Sequence, residues 1–134
     1  MRVFLDTNVL VAAFATRGLC ADVLRIVLAE HDLITGEVVL GELRDVLAKR
    51  LKLPPSTVAD IMALLRAQEV VPKPDNPSSM PIRDPDDRWI LASAVAGGAD
   101  VLVTGDQDLL AIAAQAPLTI LNPRGLWDRV RSSS

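Results

Sequence analysis

Tyrosine is missing from this 134-residue chain, and its whole aromatic complement is Phe4, Phe14, Trp89 and Trp127. A stacking platform of the single-strand-binding type, which needs several aromatic faces in a row, is therefore not expected. Cysteine occurs once, as Cys20, and histidine once. That excludes an internal disulfide and leaves no ligand set for zinc, so Cys20 reads as a small apolar helix residue. Long apolar runs are missing too: none approaches the ~20 residues of a membrane-spanning helix. Met1-Arg2 leads straight into a strand-like run with no signal-peptide core, and a cytoplasmic protein is expected. Nor is there an excess of positive charge, with 14 Lys and Arg against 17 Asp and Glu. A broad basic face of the duplex-binding kind is not indicated, and contact with nucleic acid would need a local patch or bound cations.

What is present is a chain that is 50% hydrophobic and 23% charged, the balance of a folded domain. Its length suits one core. A single domain over residues 1–131 is expected, with the serines at 132–134 as a disordered tail. Five short apolar runs read as strands: Arg2 to Leu5, Asp32 to Thr35, Glu69 to Pro72, Asp100 to Thr104 and Leu118 to Leu121. Between them lie helical patterns from about Val9 (resuming at Ala21 to Glu30), Glu37 to Leu51, a helix capped by Ser56 that runs to Gln68, Asp87 to Ala96, Asp106 to Gln115, and Pro123 to Val130. Lys73 to Arg83, rich in Pro, Ser and Asn, reads as a long surface loop. Short strands alternating with helices predict an α/β fold, a parallel sheet with helices on both faces.

In such a sheet ligands bind beyond the C-terminal ends of the strands, which directs attention to acids there. Asp6 follows the first strand directly, and Asp106 follows DVLVT after Gly105. Glu42 falls on a helical wheel between Val38 and Val46, at the margin of the apolar arc, and Asp87 shares a face with Ile90, Leu91 and Ala94. Each acid alone has a plainer explanation. Asp6 and Asp106 suit helix N-caps. Asp84-Pro85-Asp86-Asp87 reads as a capped helix start with Pro at the first position. Glu42 could reach solvent or pair with Lys49. Together, several carboxylates at one end of one sheet need a counter-charge, and their segments hold few bases beyond Arg83 and Arg88. A hard divalent cation, Mg²⁺ or Mn²⁺, suits such oxygens best.

The segments FLDTNVLVAAF, ITGEVVLGELRDVL and RDPDDRWILASAVAGGADVLVTGDQDLL resemble, in that order, the PIN-domain nuclease family, and in particular its VapC-like members, the toxin components of bacterial toxin–antitoxin pairs. The resemblance spans nearly the whole chain. It implies a three-layer α/β/α sandwich around a parallel sheet, and a Mg²⁺ or Mn²⁺ site that hydrolyses RNA phosphodiester bonds through activated water. Matched position by position, the catalytic acids are Asp6, Glu42, Asp87 and Asp106, with Asp6, Asp87 and Asp106 holding the metal. Asn8 and Thr104 match polar positions beside the metal, and Asp108 a further acid behind it. The register of the third acid leaves a choice between Asp87 and Asp84, and the shared inward face selects Asp87. Arg17, Arg83, Arg88 and Arg124 are the bases proposed for RNA contact, although an ordinary solvated charge explains each of them as well. A cognate antitoxin and a homodimer are the expected partners; exposed apolar residues such as Val58, Ile61, Leu64 and Leu65 suggest the second, with packing on the sheet as the plainer reading.

Two other classes compete. A PIN-like scaffold without turnover would act only by holding a partner protein. A phosphatase using Asp6 as covalent nucleophile, in the haloacid-dehalogenase-like pattern, would want a second Asp two residues later, where this chain has Asn8.

Overall fold

The structure, a computed structural model, describes residues 1–132. Its sheet has five strands: β1 (Arg2–Leu5), β2 (Asp32–Gly36), β3 (Glu69–Val71), β4 (Val101–Val103) and β5 (Thr119–Leu121). All four neighbouring pairs are parallel, in the order β3-β2-β1-β4-β5. The chain builds outward from β1 to β3 and then returns to place β4 on the other side of β1. The strand order therefore reverses between β1 and β4, where a parallel sheet opens a crevice at its C-terminal edge.

Both faces of the sheet are covered. Consecutive strand side chains point to opposite faces, yet Val3, Phe4 and Leu5 of β1 and all of β4 are fully buried. The covering helices are α1 (Thr7–Ala15), α2 (Leu19–Glu30), α3 (Glu37–Asp45), α4 (Pro55–Arg66), α5 (Pro85–Ala96), α6 (Gln107–Leu110) and α7 (Pro123–Ser132). The expected α/β architecture with a central parallel sheet is thus the one observed. None of these helices is long and apolar enough to cross a membrane.

Several boundaries differ from the sequence reading, each for a local reason. The α1 helix begins at Thr7, two residues early, because the Asp6 side chain accepts the Thr7 N–H directly after the strand. Ser56 does not cap α4; Pro55 occupies the first turn with Pro54 before it, and proline's fixed φ suits that position. The long third helix changes pitch: after Asp45, residues Val46–Arg50 form a π turn in which Leu51 N–H reaches back five residues to Val46. Helix α6 stops at Leu110, and tight three-residue-span bonds such as Gln115 N–H to Ile112 carry the chain onward. At the other end, Ser132, expected in the tail, belongs to α7, and residues 133 and 134 lie outside the described residues. On α4, Val58 and Leu65 are buried and Leu64 faces out.

The N-terminal edge of the sheet is tied together by Arg2. Its guanidinium donates to the carbonyls of Gly97 and Gly98 and pairs with Glu69 at 2.8 Å, while its backbone N–H donates to Asp100. Gly97 has no room for a side chain: a Cβ there would lie 2.7 Å from Val71 Cγ2 and 2.9 Å from Ile34 Cγ2. Both neighbours are stiff at χ1. Gly97→Ala is accordingly expected to destabilise the protein by about 1–3 kcal/mol, the range for overpacking, measurable as a lower urea midpoint with an unchanged m-value.

Candidate metal centre

The crevice between β1 and β4 is an open cleft of about 470 Å³ lined by Asp6, Thr7, Asn8, Glu42, Asp45, Val46, Arg50, Asp84, Asp86, Asp87 and Asp106. Seven of these residues are acids and one is a base. Asp6 leaves the end of β1, where its backbone N–H donates to Val103 of β4 at 2.9 Å. Its carboxylate accepts from Thr7 N–H at 2.7 Å through Oδ1 and from the Thr104 hydroxyl at 2.7 Å through Oδ2. The same Thr104 Oγ1 accepts the Asp106 N–H at 3.0 Å, so one fully buried threonine links the acids following β1 and β4. Thr7 is the second link: its hydroxyl donates to Glu42 Oε2 at 2.8 Å, joining α1 to α3.

The tightest grouping is different from the expected one. Asp84, Asp87 and Asp106 each present an oxygen within 4.8 Å of the others. Asp84 and Asp87, alternatives in the sequence reading, face the same point from one turn of α5. Asp6 stands beside this trio, with each of its oxygens already accepting one bond. Asp87 is only 7% exposed, and its Oδ2 is buried with no hydrogen-bond partner. Such an orphaned anionic oxygen is costly unless a proton or a cation meets it. None of the described ion pairs involves Asp6, Glu42, Asp84, Asp87 or Asp106. Lys49 pairs with Asp45 and not with Glu42.

The electrostatics follow from this crowding. Burial, then the hydrogen bond and charge of Asp106, and then the charges of Asp6 and Asp84 push the Asp87 carboxyl up to about 8. Burial also raises Asp6, opposed by the bonds from Thr104 and Thr7. Glu42 is raised by burial and by the charges of Asp6, Asp86 and Asp84, against the bond from Thr7. A set of oxygen donors with one orphaned atom, no ion pair among the described residues and a single lining base fits a hard divalent cation.

Of the other residues singled out in the sequence, Asn8 lines the cleft and Asp108 does not; the Asp108 backbone N–H donates to the capping Asp106 Oδ1 at 2.8 Å. Arg17, Arg83, Arg88 and Arg124 are not among the lining residues, and Arg88 Nε is spent on the Ile82 carbonyl. The base that does line the cleft is Arg50, which sequence reasoning missed. It ends the π turn, and a pitch change of that kind shifts its direction from the one an α-helical wheel assigns. Thr7 was also missed, although it stands inside the DTN segment; its signal was a hydroxyl between two polar residues at a strand end. Asp45 and Asp86 complete the set.

An acidic cleft at the reversal point of a parallel α/β sheet defines a class of site, one whose clustered oxygen donors suit a hard cation. The sequence pattern of the PIN domain matches residues 2–108, and the chain belongs to that family. Solved structures with the same fold include VapBC2 from Rickettsia felis bound to a DNA fragment from their promoter, 18% identical over 91% of this chain and 98% of that one, with a TM-score of 0.61. VapBC-1 from nontypeable Haemophilus influenzae is 19% identical over 92% and 99%, with a TM-score of 0.61. FitAcB from Neisseria gonorrhoeae is 19% identical over 90% and 97%, with a TM-score of 0.58. No curated protein sequence matches.

The raised carboxyls set the pH dependence of stability. A carboxyl whose folded pKa exceeds its unfolded one binds more protons in the folded state, so stability falls as pH rises. In EDTA the melting temperature is expected to decline between the ordinary Asp value of 3.8 and about 8. Asp87→Asn should raise the melting temperature in EDTA and flatten most of that slope. Mg²⁺ should raise it in the wild type, most at the alkaline end, where protons compete least. Thermal scans across pH check this, and a slope indifferent to Asp87→Asn would count against it.

Proposed function

We propose that the chain is a metal-dependent endoribonuclease, a VapC-like toxin component of a toxin–antitoxin pair. The observation that carries this reading is the convergence of Asp84, Asp87 and Asp106, one oxygen of which is buried without a partner, in a chain of the PIN family. Asp87, Asp106 and Asp84 would hold Mg²⁺ or Mn²⁺, and Asp6 would join through lone pairs its two hydrogen bonds leave free. When bound, the cation supplies Lewis acidity and a lowered pKa for water, together with charge opposite that growing on the phosphate.

The remaining work belongs to side chains. Glu42 takes the proton of the attacking water or orients it: it lines the cleft, Thr7 fixes its carboxylate, and its raised pKa moves it toward the range of a general base. Asp6 and Thr104 hold the acids of two strands in register. Arg50 is the base best placed to meet the phosphate. In-line attack would leave 5′-phosphate and 3′-hydroxyl ends without using the RNA 2′-hydroxyl. Two of the structural neighbours are VapBC complexes, which supports a cognate antitoxin as partner, whose basic side chain would enter the acidic cleft. A homodimer, a cytoplasmic location and RNA contact by rim arginines complete the proposal.

The test is cleavage of end-labelled RNA by the purified protein. Activity should appear with Mg²⁺ or Mn²⁺, vanish in EDTA, and be lost in Asp6→Asn and Asp87→Asn. If a well-folded wild type cleaves no RNA with either metal, the enzyme reading is overturned in favour of a protein-binding module.

A subtler outcome concerns the hydroxyl links. Thr104→Val keeps the shape and removes the bond to Asp6, and is expected to lower cleavage by about 10- to 100-fold, as losses behind metal ligands do. The same substitution at Thr7 should act through Glu42 and flatten the acidic limb of the pH–rate profile.

A further inference from the structure

We propose that a second cavity, beside the acidic cleft, is a nucleotide subsite in which one unpaired base of the substrate stacks on Trp89 while Lys73 binds the adjoining phosphate. The proposal rests on the nuclease reading above and names part of its substrate contact. The cavity has a volume of about 290 Å³ and is lined by Glu37, Val38, Glu42, Lys73, Asp86 and Trp89. Glu42 and Asp86 also line the acidic cleft, so the two spaces share a wall. Trp89 follows Asp87 by two residues on α5, and the turn that presents the acids therefore also fixes the indole.

The ring is placed unlike any other aromatic side chain in the described residues. Phe4 is fully buried, and Phe14 and Trp127 pack against the core; Trp89 joins neither group. A large apolar ring left off the core, at the rim of a charged cleft, is a surface held ready for a flat partner. Lys73 Nζ lies 4.6 Å from the ring centroid. It forms no ion pair among the described residues, although three carboxylate side chains line the same cavity. An arriving strand exchanges that cation–π contact for base stacking on the ring and a phosphate contact for the freed ammonium. Glu37, whose oxygens accept from Arg66 at 2.8 and 3.2 Å, and Asp86 offer further acceptor capacity for an exocyclic amine such as cytosine N4–H. One ring receives one base, which agrees with the shortage of aromatics for any longer platform.

The experiment uses Trp127→Phe protein, in which Trp89 is the sole indole, titrated with a single-stranded oligocytidylate in EDTA so that no cleavage intervenes. Saturable quenching of Trp89 is expected, and Lys73→Ala should weaken it. In Mg²⁺, Trp89→Ala should raise KM on single-stranded RNA about tenfold or more, the effect of losing one base–aromatic stack, with kcat within about twofold. Trp89→Phe keeps a stacking face and should restore most of the loss, and Lys73, exposed on its loop, can be replaced without threatening the fold. If the wild type cleaves RNA while Trp89 is silent to the oligonucleotide and KM is unchanged in Trp89→Ala and Lys73→Ala, the subsite is wrong and the nuclease reading stands. If no RNA is cleaved with any metal, both fall. Quenching by an antitoxin and not by the oligonucleotide also overturns the subsite.

Discussion

Like charges held close in a partly buried crevice repel, and the upper edge of this sheet is arranged around that repulsion. The sheet order forces β1 and β4 side by side, and each strand is followed within three residues by an aspartate. Three devices in the chain offset the repulsion. Asp6, Asp84 and Asp106 sit at the starts of α1, α5 and α6, where unpaired N–H groups favour negative charge. Thr7 and Thr104 place hydroxyl donors against Asp6 and Glu42. The third device is a proton retained by Asp87 well above the ordinary carboxylate range. The first two are compatible with a bound cation, and the third is what the proposed cation would displace.

The two ends of the sheet show opposite economies of charge. At the N-terminal edge Arg2 meets a carboxylate and two carbonyls, so its charge is matched. At the C-terminal edge seven acids meet a single Arg50. Stability is drawn from the lower end and from a core in which both sheet faces are dry. That surplus lets the upper end keep charges no stability argument would leave there, the pattern expected where function and stability pull apart.

Much of this was legible in the sequence. Short apolar runs located all five strands, because the sheet is covered on both faces, and period-3.6 patterns located the principal helices, because each is buried along one face. Asp6 and Asp106 could be placed at strand ends, and Glu42 and Asp87 turned inward by their wheels, since these positions depend on local geometry alone. Less visible was anything depending on a change of pitch or on a partner from another element. The π turn after Asp45 re-aims Arg50, and consecutive prolines moved the start of α4 away from Ser56. Thr7 matters only because α3 brings Glu42 to within 2.8 Å of its hydroxyl, a contact between residues 35 positions apart.

The acids themselves carry a more general point about reading caps. Treated singly, Asp6, Asp84 and Asp106 were each explained by a helix start, and the structure does give each that duty: every one accepts a backbone N–H through Oδ1. A carboxylate has two oxygens, however, and capping occupies one. At Asp84 no protein N–H or O–H among the described residues claims the other, at Asp106 the neighbouring Asp87 carboxyl shares a hydrogen bond, and at Asp6 a threonine donates. The cap fixes the carboxylate's orientation, and its second oxygen is thereby presented at a defined point beyond the helix end. Capping and the proposed ligation are then compatible uses of one group. An acid explained by its cap is, at a sheet reversal point, still available for the chemistry.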